Sequence, residues 1–329
     1  MLKFGTRMLW ALGVVMTLSS TLMAQVPLDP DMPTYRPVSS LKGELRLTGS
    51  STMANVASVW AASFRQFYPE VKITIQTTGS RAAVASVLES SADIGLLSRS
   101  INKEERDLYL KARGSEATVV TPCLERIGVY VHKDNPIRGL TLAQIDGIFS
   151  EDCKRLNDKP IRTWGQLGFP GAWATQPVMV HGRDDDTGSQ VFMQEAVMLG
   201  GTVRKDIKTH ASNNEMMKGI AADPRSVGFA GHSYETQNVR SVPLSIRPEG
   251  PYVAIDSEEA DHGQYPLMRP LQLVIDHVPG KELPEIEREF IRYVFSSRGQ
   301  EDVIKAGFQG ISGKPAHIAL DSIGLNVVH

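Results

Sequence analysis

Between residues 43 and 98 the hydrophobic period keeps changing. ELRLTG and VKITIQTTG alternate with a period of two, STMANVASVWAASFRQFY and SRAAVASVLES carry apolar residues at helical spacing, and ADIGLLS is a short apolar run. Strand, helix, strand, helix, strand is the pattern of an α/β fold with a parallel sheet and crossover helices. Val56, Trp60, Phe64 and Phe67 share one helical face, which reads as core rather than a partner groove, and Tyr68-Pro69 ends that helix. The centre repeats the pattern: ERIGVYVHK, QPVMVHGR and SVGFAG read as strands, LTLAQIDGIFS and TGSQVFMQEAVML as helices, with a polar turn from Asp206 feeding another helix. RPLQLVIDHVP is again a strand, and PEIEREFIRYVFSSRGQEDVIKAGF supplies two helices, the first with a solvated charged face.

The chain start reads differently. Lys3 and Arg7 precede the apolar run MLWALGVVMTL, which stops at the small residue Ala24, the order of a secretory signal peptide over 1–24 with a cut near Gln25. No later segment approaches about 18 uninterrupted apolar residues, so the expectation is a soluble periplasmic product. Residues 25–42 hold four prolines and no apolar period, an extended N-terminal linker. The remaining length exceeds a typical single domain and predicts two lobes. The net charge of -2 calls for neither nucleic acid nor an acidic membrane surface. Cys123 and Cys153 are the only cysteines. In an exported chain they are expected to pair as a disulfide, the alternative being two buried free thiols.

Three places share one local arrangement: Gly49-Ser50-Ser51-Thr52, Thr78-Gly79-Ser80 and Arg183-Asp184-Asp185-Asp186-Thr187-Gly188-Ser189 each lie where a strand gives way to a helix. A helix start leaves backbone N–H groups without intrahelical partners and carries roughly half a positive charge. Such ends bind anions. Glycine admits close approach, Ser and Thr add rotatable donors, and an arginine adds a planar charged fork. Taken singly, each is equally an ordinary N-cap. Three of them at the carboxyl ends of strands, with Arg183 beside one and Ser98-Arg99 at another strand end, point to one anion site.

These stretches resemble the phosphate-binding protein family of ABC transporters, the PstS-like periplasmic solute-binding proteins. GSSTM, TTGSRAAV, ADIGLLSRSINKEE, RIGVYVHKDNP, LTLAQIDGIFS, RDDDTGSQVF, SVGFAG and YPLMRPL follow the family's order across most of the chain. The resemblance implies a two-lobe Venus-flytrap fold with two hinge-crossing segments. Lobe 1 would comprise 43–121 and 266–329, and lobe 2 would be 122–265. It implies that phosphate is held by Ser51, Thr52, the backbone of Met53, Ser80, Ser98, Arg183, Thr187, Gly188 and Ser189. Where some members carry an aspartate this chain has Ser98-Arg99, which makes Arg99 a candidate second cation. Asp185 matches the family carboxylate that steadies the arginine, Asp186 reads as a helix cap, and Asp184 as a solvated turn residue. Either Asp185 or Asp186 could accept a proton of the bound anion. The implied partners are inorganic phosphate and a membrane ABC permease, with the protein a monomer that needs no cofactor.

Rival classes carry less. GHSYE lacks the second glycine of a nucleophile elbow, the histidines show no HExxH spacing, and DDDTG lacks the glycine and glutamate of a calcium loop. The alternatives that keep the fold are a receptor for another oxyanion, such as sulfate or molybdate, and an extracytoplasmic signalling or adhesion component.

Overall fold

The computed structural model describes residues 28–185, 187–277 and 280–325, without the side chain of Ser233. The expected signal peptide and Asp186 therefore lie outside the described residues. β1 (Gly43–Gly49), β2 (Val71–Gln76) and β3 (Ile94–Leu97) run parallel with β1 in the middle, joined by α1 (Ser51–Phe67) and α2 (Ser80–Leu88). The crossover reading of this stretch matches the structure almost residue for residue. α3 (Lys103–Arg113) follows. Its run KEERDLYLKAR buries only Glu105 and Tyr109, too narrow a stripe to stand out in sequence.

β4 (Thr118–His132) then carries the chain into a second group of elements: β5 (Leu140–Thr141), α4 (Leu142–Phe149), β6 (Met179–Arg183), α5 (Gly188–Ala196), β7 (Lys208–His210), α6 (Asn213–Ala221), β8 (Ser226–Gly231), β9 (Val239–Ser241), β10 (Leu244–Ser245) and α7 (Glu258–Asp261). β11 (Met268–Ile275) leads back, followed by α8 (Glu285–Val294), α9 (Ser297–Lys305), β12 (Gln309–Gly310) and α10 (Gly313–Ser322). The strand order is β2-β1-β3-β11-β4-β8-β6-β7, with β9 and β12 also pairing β4.

The sheet is mixed, not parallel throughout. β11 is antiparallel to both β3 and β4, and β4 is antiparallel to β8. The cause is the path of the chain. Val120 and Cys123 of β4 belong to one hydrophobic core, and Ile127, Val129 and Val131 to another. β11 runs the other way, from Met268 against the second core to Leu271, Leu273 and Ile275 in the first. Neighbouring strands that leave and return in opposite senses pair antiparallel and need no crossover helix.

The first core gathers Trp60 and Phe64 from α1, both fully buried, with Phe67 packed against them. Trp60 Nε1 donates to Gly299 O at 2.9 Å, so the one polar atom of the indole is satisfied. Residues 28–42 form no helix or strand, as their prolines dictate, yet they dock rather than hang free. Met32, Tyr35 and Leu41 are buried in the first core, and Gly313 N donates to Asp29 Oδ2 at 2.9 Å. The charged face of α8 is partly inside as well: Glu287 and Glu289 are buried, and burial, then Asp93 and Asp276, push Glu287 up to about 7.

The disulfide expectation is corrected. Cys123 and Cys153 are both buried free thiols. Cys123 lies in the first core, while Cys153 sits beside α4, its Sγ 3.4 Å from Ser150 O. Burial pushes both thiols up, away from the thiolate that oxidation requires.

Candidate functional site

The starts of α1, α2 and α5 converge on one cleft of about 90 Å³, lined by Ser50, Ser51, Thr52, Thr78, Gly79, Ser80, Arg81, Ser98, Arg183, Thr187, Gly188 and Ser189. The convergence is built by backbone. Gly79 N donates to Gly49 O and Ser50 N to Leu96 O, each at 2.9 Å, which stitches the ends of β1, β2 and β3 together. Gly49 has φ +139°, and a Cβ there would stand 2.3 Å from Leu96 O, so only glycine lets the chain cross the end of β3.

The capping alternative can be tested helix by helix. In α1 the Ser50 hydroxyl accepts from Met53 N at a long 3.4 Å. α2 has Gly79 at its N-cap and so no side chain to offer. In α5 the Thr187 hydroxyl turns away and donates to Asp184 O at 2.9 Å, so the N-cap residue offers that helix no side-chain cap. At two of the three starts the N-cap residue thus makes no side-chain bond to the first N–H groups, and both starts line the cleft, where the helix dipole favours an anion.

Ser80 and Ser98 form the wall from the first group of elements. Ser98 N donates to Ser80 Oγ at 3.2 Å, and the two hydroxyls lie 3.3 Å apart. Gly188 opposes them from the second group. A Cβ on Gly188 would lie 2.1 Å from Ser98 Oγ, so the glycine permits the two sides to approach.

Arg183, at the end of β6, is held by neutral acceptors: Nε donates to His210 O at 3.0 Å, Nη1 to Asn213 Oδ1 at 2.7 Å and Nη2 to Ala211 O at 2.9 Å. Three of the five guanidinium N–H groups are used. Among the described residues Arg183 enters no salt bridge, and burial pulls it below its ordinary value against the opposing charge of Asp184. On the same strand, burial and then His210 bring His181 down to about 4, so it stands neutral against His210 at 2.9 Å.

Several expected residues fall elsewhere. Arg99 does not line the cleft: its Nη1 and Nη2 donate to the two oxygens of Glu105 at 2.9 and 2.7 Å, a bidentate buried pair that uses up the charge. Asp185 is exposed and holds nothing on Arg183, whose steadying groups are Asn213 and two carbonyls. Asp184 is an exposed turn residue, as read. The Met53 side chain is buried in the first core, and its N–H faces Ser50. Sequence reasoning missed Arg81, exposed at the cleft mouth, and Asn213. It also gave no role to Arg269, a lone cation in the apolar strand MRPLQLVI, which pairs in register with Glu125, a lone acid at the head of ERIGVYVHK. An acid and a cation, each the only charge of its sign in a largely apolar strand or, for Glu125, beside Arg126, were the signal available.

Among the described residues no group of three or more His, Cys, Asp or Glu could hold a metal ion, and no helix is long and apolar enough to cross a membrane. Residues 35–298 match the family described as PBP superfamily domain. The chain is 31% identical over 319 residues to the phosphate-binding protein PstS of Pseudomonas aeruginosa, covering 97% of this chain and 99% of that protein. It is 24% identical over 257 residues to protein SphX of Synechococcus elongatus, covering 77% and 73% respectively. In fold it is similar to a phosphate ABC transporter substrate-binding protein from Clostridium perfringens, with TM-score 0.67 and 24% identity over 82% of this chain and all of that one. An ABC-type phosphate transport receptor from Vibrio cholerae gives TM-score 0.63 at 21% identity, over 80% of this chain and 98% of that one. The chain belongs to the PBP superfamily domain family and is a homologue of the PstS phosphate-binding proteins.

Proposed function

We propose that this protein is a phosphate receptor: it captures inorganic phosphate in the cleft between two lobes and delivers it to the permease of an ABC transporter. The observation that carries the reading is the meeting of three helix starts with an arginine that enters no salt bridge among the described residues, in a cleft of about 90 Å³. That volume suits a handful of heavy atoms and lies well below the roughly 300 Å³ at which pockets for larger organic ligands begin. Hydroxyls of Ser51, Thr52, Ser80, Ser98 and Ser189, with the backbone N–H groups of Gly188 and Ser189, surround the anion, while Thr187 lines the cleft with its own donors turned to Asp184 O. Asp184 and Asp185 are exposed and do not line the cleft.

The first lobe in this reading is 43–121 with 266–329, the second 122–265, and β4 and β11 are the crossing segments. The separate hydrophobic cores support that division. Phosphate binds ligands from both lobes at once only when they are shut, so it shifts the population toward closure. The charged and then apolar start of the sequence supports a periplasmic location.

A thermal-shift panel with phosphate, sulfate, molybdate and amino acids tests the reading. Phosphate at about 100 times its dissociation constant adds roughly 2.7 kcal/mol of apparent stability, so a clear rise in melting temperature with phosphate, and none with amino acids, is expected. A rise with sulfate or molybdate alone reassigns the anion, and no rise with any of them rejects the site.

A further inference from the structure

Arg269 stands opposite Glu125 in the register of β11 and β4, at the level where both strands pass from one core to the other. The guanidinium is 1% exposed. One edge closes on Glu125, with Nε donating to Oε2 at 2.7 Å and Nη2 2.5 Å from the same oxygen. Nη2 also donates to Thr52 Oγ1 at 3.4 Å, on a residue that lines the cleft.

The other edge is different. Nη1 is buried and has no hydrogen-bond partner among the described residues. It lies directly behind the cleft wall: a Cβ built on Gly188 would be 3.2 Å from Nη1 and 2.1 Å from Ser98 Oγ, and Gly188 and Ser98 both line the cleft. A buried cationic donor without an acceptor is costly to keep. Glu125 Oε1 is also buried and without a partner among the described residues. The cleft behind Gly188 and Ser98 is a place where Nη1 can be supplied with an acceptor.

We propose that Arg269 is a second guanidinium of the anion site, its Nη1 donating to an oxygen of bound phosphate, and that Glu125 is the positioning residue that holds the opposite edge. This rests on the phosphate-receptor reading. Arginine suits the task because its planar fork serves a carboxylate on one edge and an anion on the other, whereas lysine offers one nitrogen. Arg99 cannot do the same, since both of its terminal nitrogens are committed to Glu105. The pair also touches both groups of elements, through Thr52 on one side and Gly188 on the other. An anion on Nη1 therefore adds a contact at the crossing strands.

The test is calorimetric titration of inorganic phosphate into the wild-type protein, Arg269→Lys and the double variant Glu125→Gln/Arg269→Gln, with unfolding midpoints measured without phosphate. Arg269→Lys keeps a cation beside Glu125 and is expected to unfold near the wild-type midpoint while binding phosphate about 10-fold or more weakly. The double variant leaves no unpaired buried charge and is expected to show the same loss. A wild-type dissociation constant in either folded variant overturns the role of Arg269 and leaves the phosphate reading standing, whereas failure of the wild type to bind overturns that reading itself. In the wild type, phosphate is expected to protect the guanidinium resonances of both Arg183 and Arg269 from solvent exchange. Protection of Arg183 alone contradicts the proposal.

Discussion

Arg183 directs three N–H groups to Asn213 and to the carbonyls of His210 and Ala211, none of which carries a full negative charge. Among the described residues no salt bridge engages its charge, and two of its N–H groups remain for a guest. Arg183→Ala removes charge-assisted bonds of about 1.5 to 3 kcal/mol each, so phosphate affinity is expected to fall roughly 100-fold or more, read by calorimetry. An unchanged dissociation constant removes Arg183 from the site. At this scale the sequence was legible where chemistry is local. Ser80, Thr187, Gly188 and Ser189 sit within a few residues of the helix starts that give them meaning. It misled where a partner decides the role. Arg99 meets Glu105, six residues on, because Glu105 also closes the capping box of α3 with Asn102 and so presents its carboxylate at that strand end. Asp185 was assigned to Arg183 through resemblance, but the acceptor comes from Asn213, 30 residues away on the start of α6.

At the scale of elements, the open helix starts are the working parts, and whether a start is capped by its own side chain was not readable from composition. Gly79 and Thr187 both precede helices, yet neither caps one, since glycine has no side chain and Thr187 bonds back to Asp184. The parallel units were legible because each is a local strand–helix–strand repeat. The antiparallel pairing of β11 with β3 and β4 was not, because it joins residues near 270 to residues near 95 and 120. α8 was legible as a helix but not in its burial. Glu287 is raised from 4.5 to about 7, so between those values the unfolded chain releases its proton first and the folded state loses stability as pH rises. Glu287→Gln removes a penalty of up to about 3 kcal/mol. Its melting temperature is expected to exceed that of the wild type near pH 8 and to match it near pH 4.5. An equal difference at both contradicts this account of Glu287.

For the whole molecule, the decisive feature is that one cleft draws residues from both groups of elements while their hydrophobic cores stay separate. β4 and β11 are shared between the cores, and Gly188 comes close enough to Ser98 that even a methyl would not fit. The mixed α/β plan was legible from pattern and resemblance, and the docking of Met32, Tyr35 and Leu41 was not, because prolines at the chain start hide an apolar set without period. The measurement that bears most directly on the central claim is a crystal structure of the protein grown with inorganic phosphate. One anion is expected in the cleft, its oxygens within hydrogen-bond distance of N–H groups at the starts of α1, α2 and α5 and of the Arg183 guanidinium. An empty cleft at saturating phosphate, or an anion that meets only one of those helix starts, contradicts it.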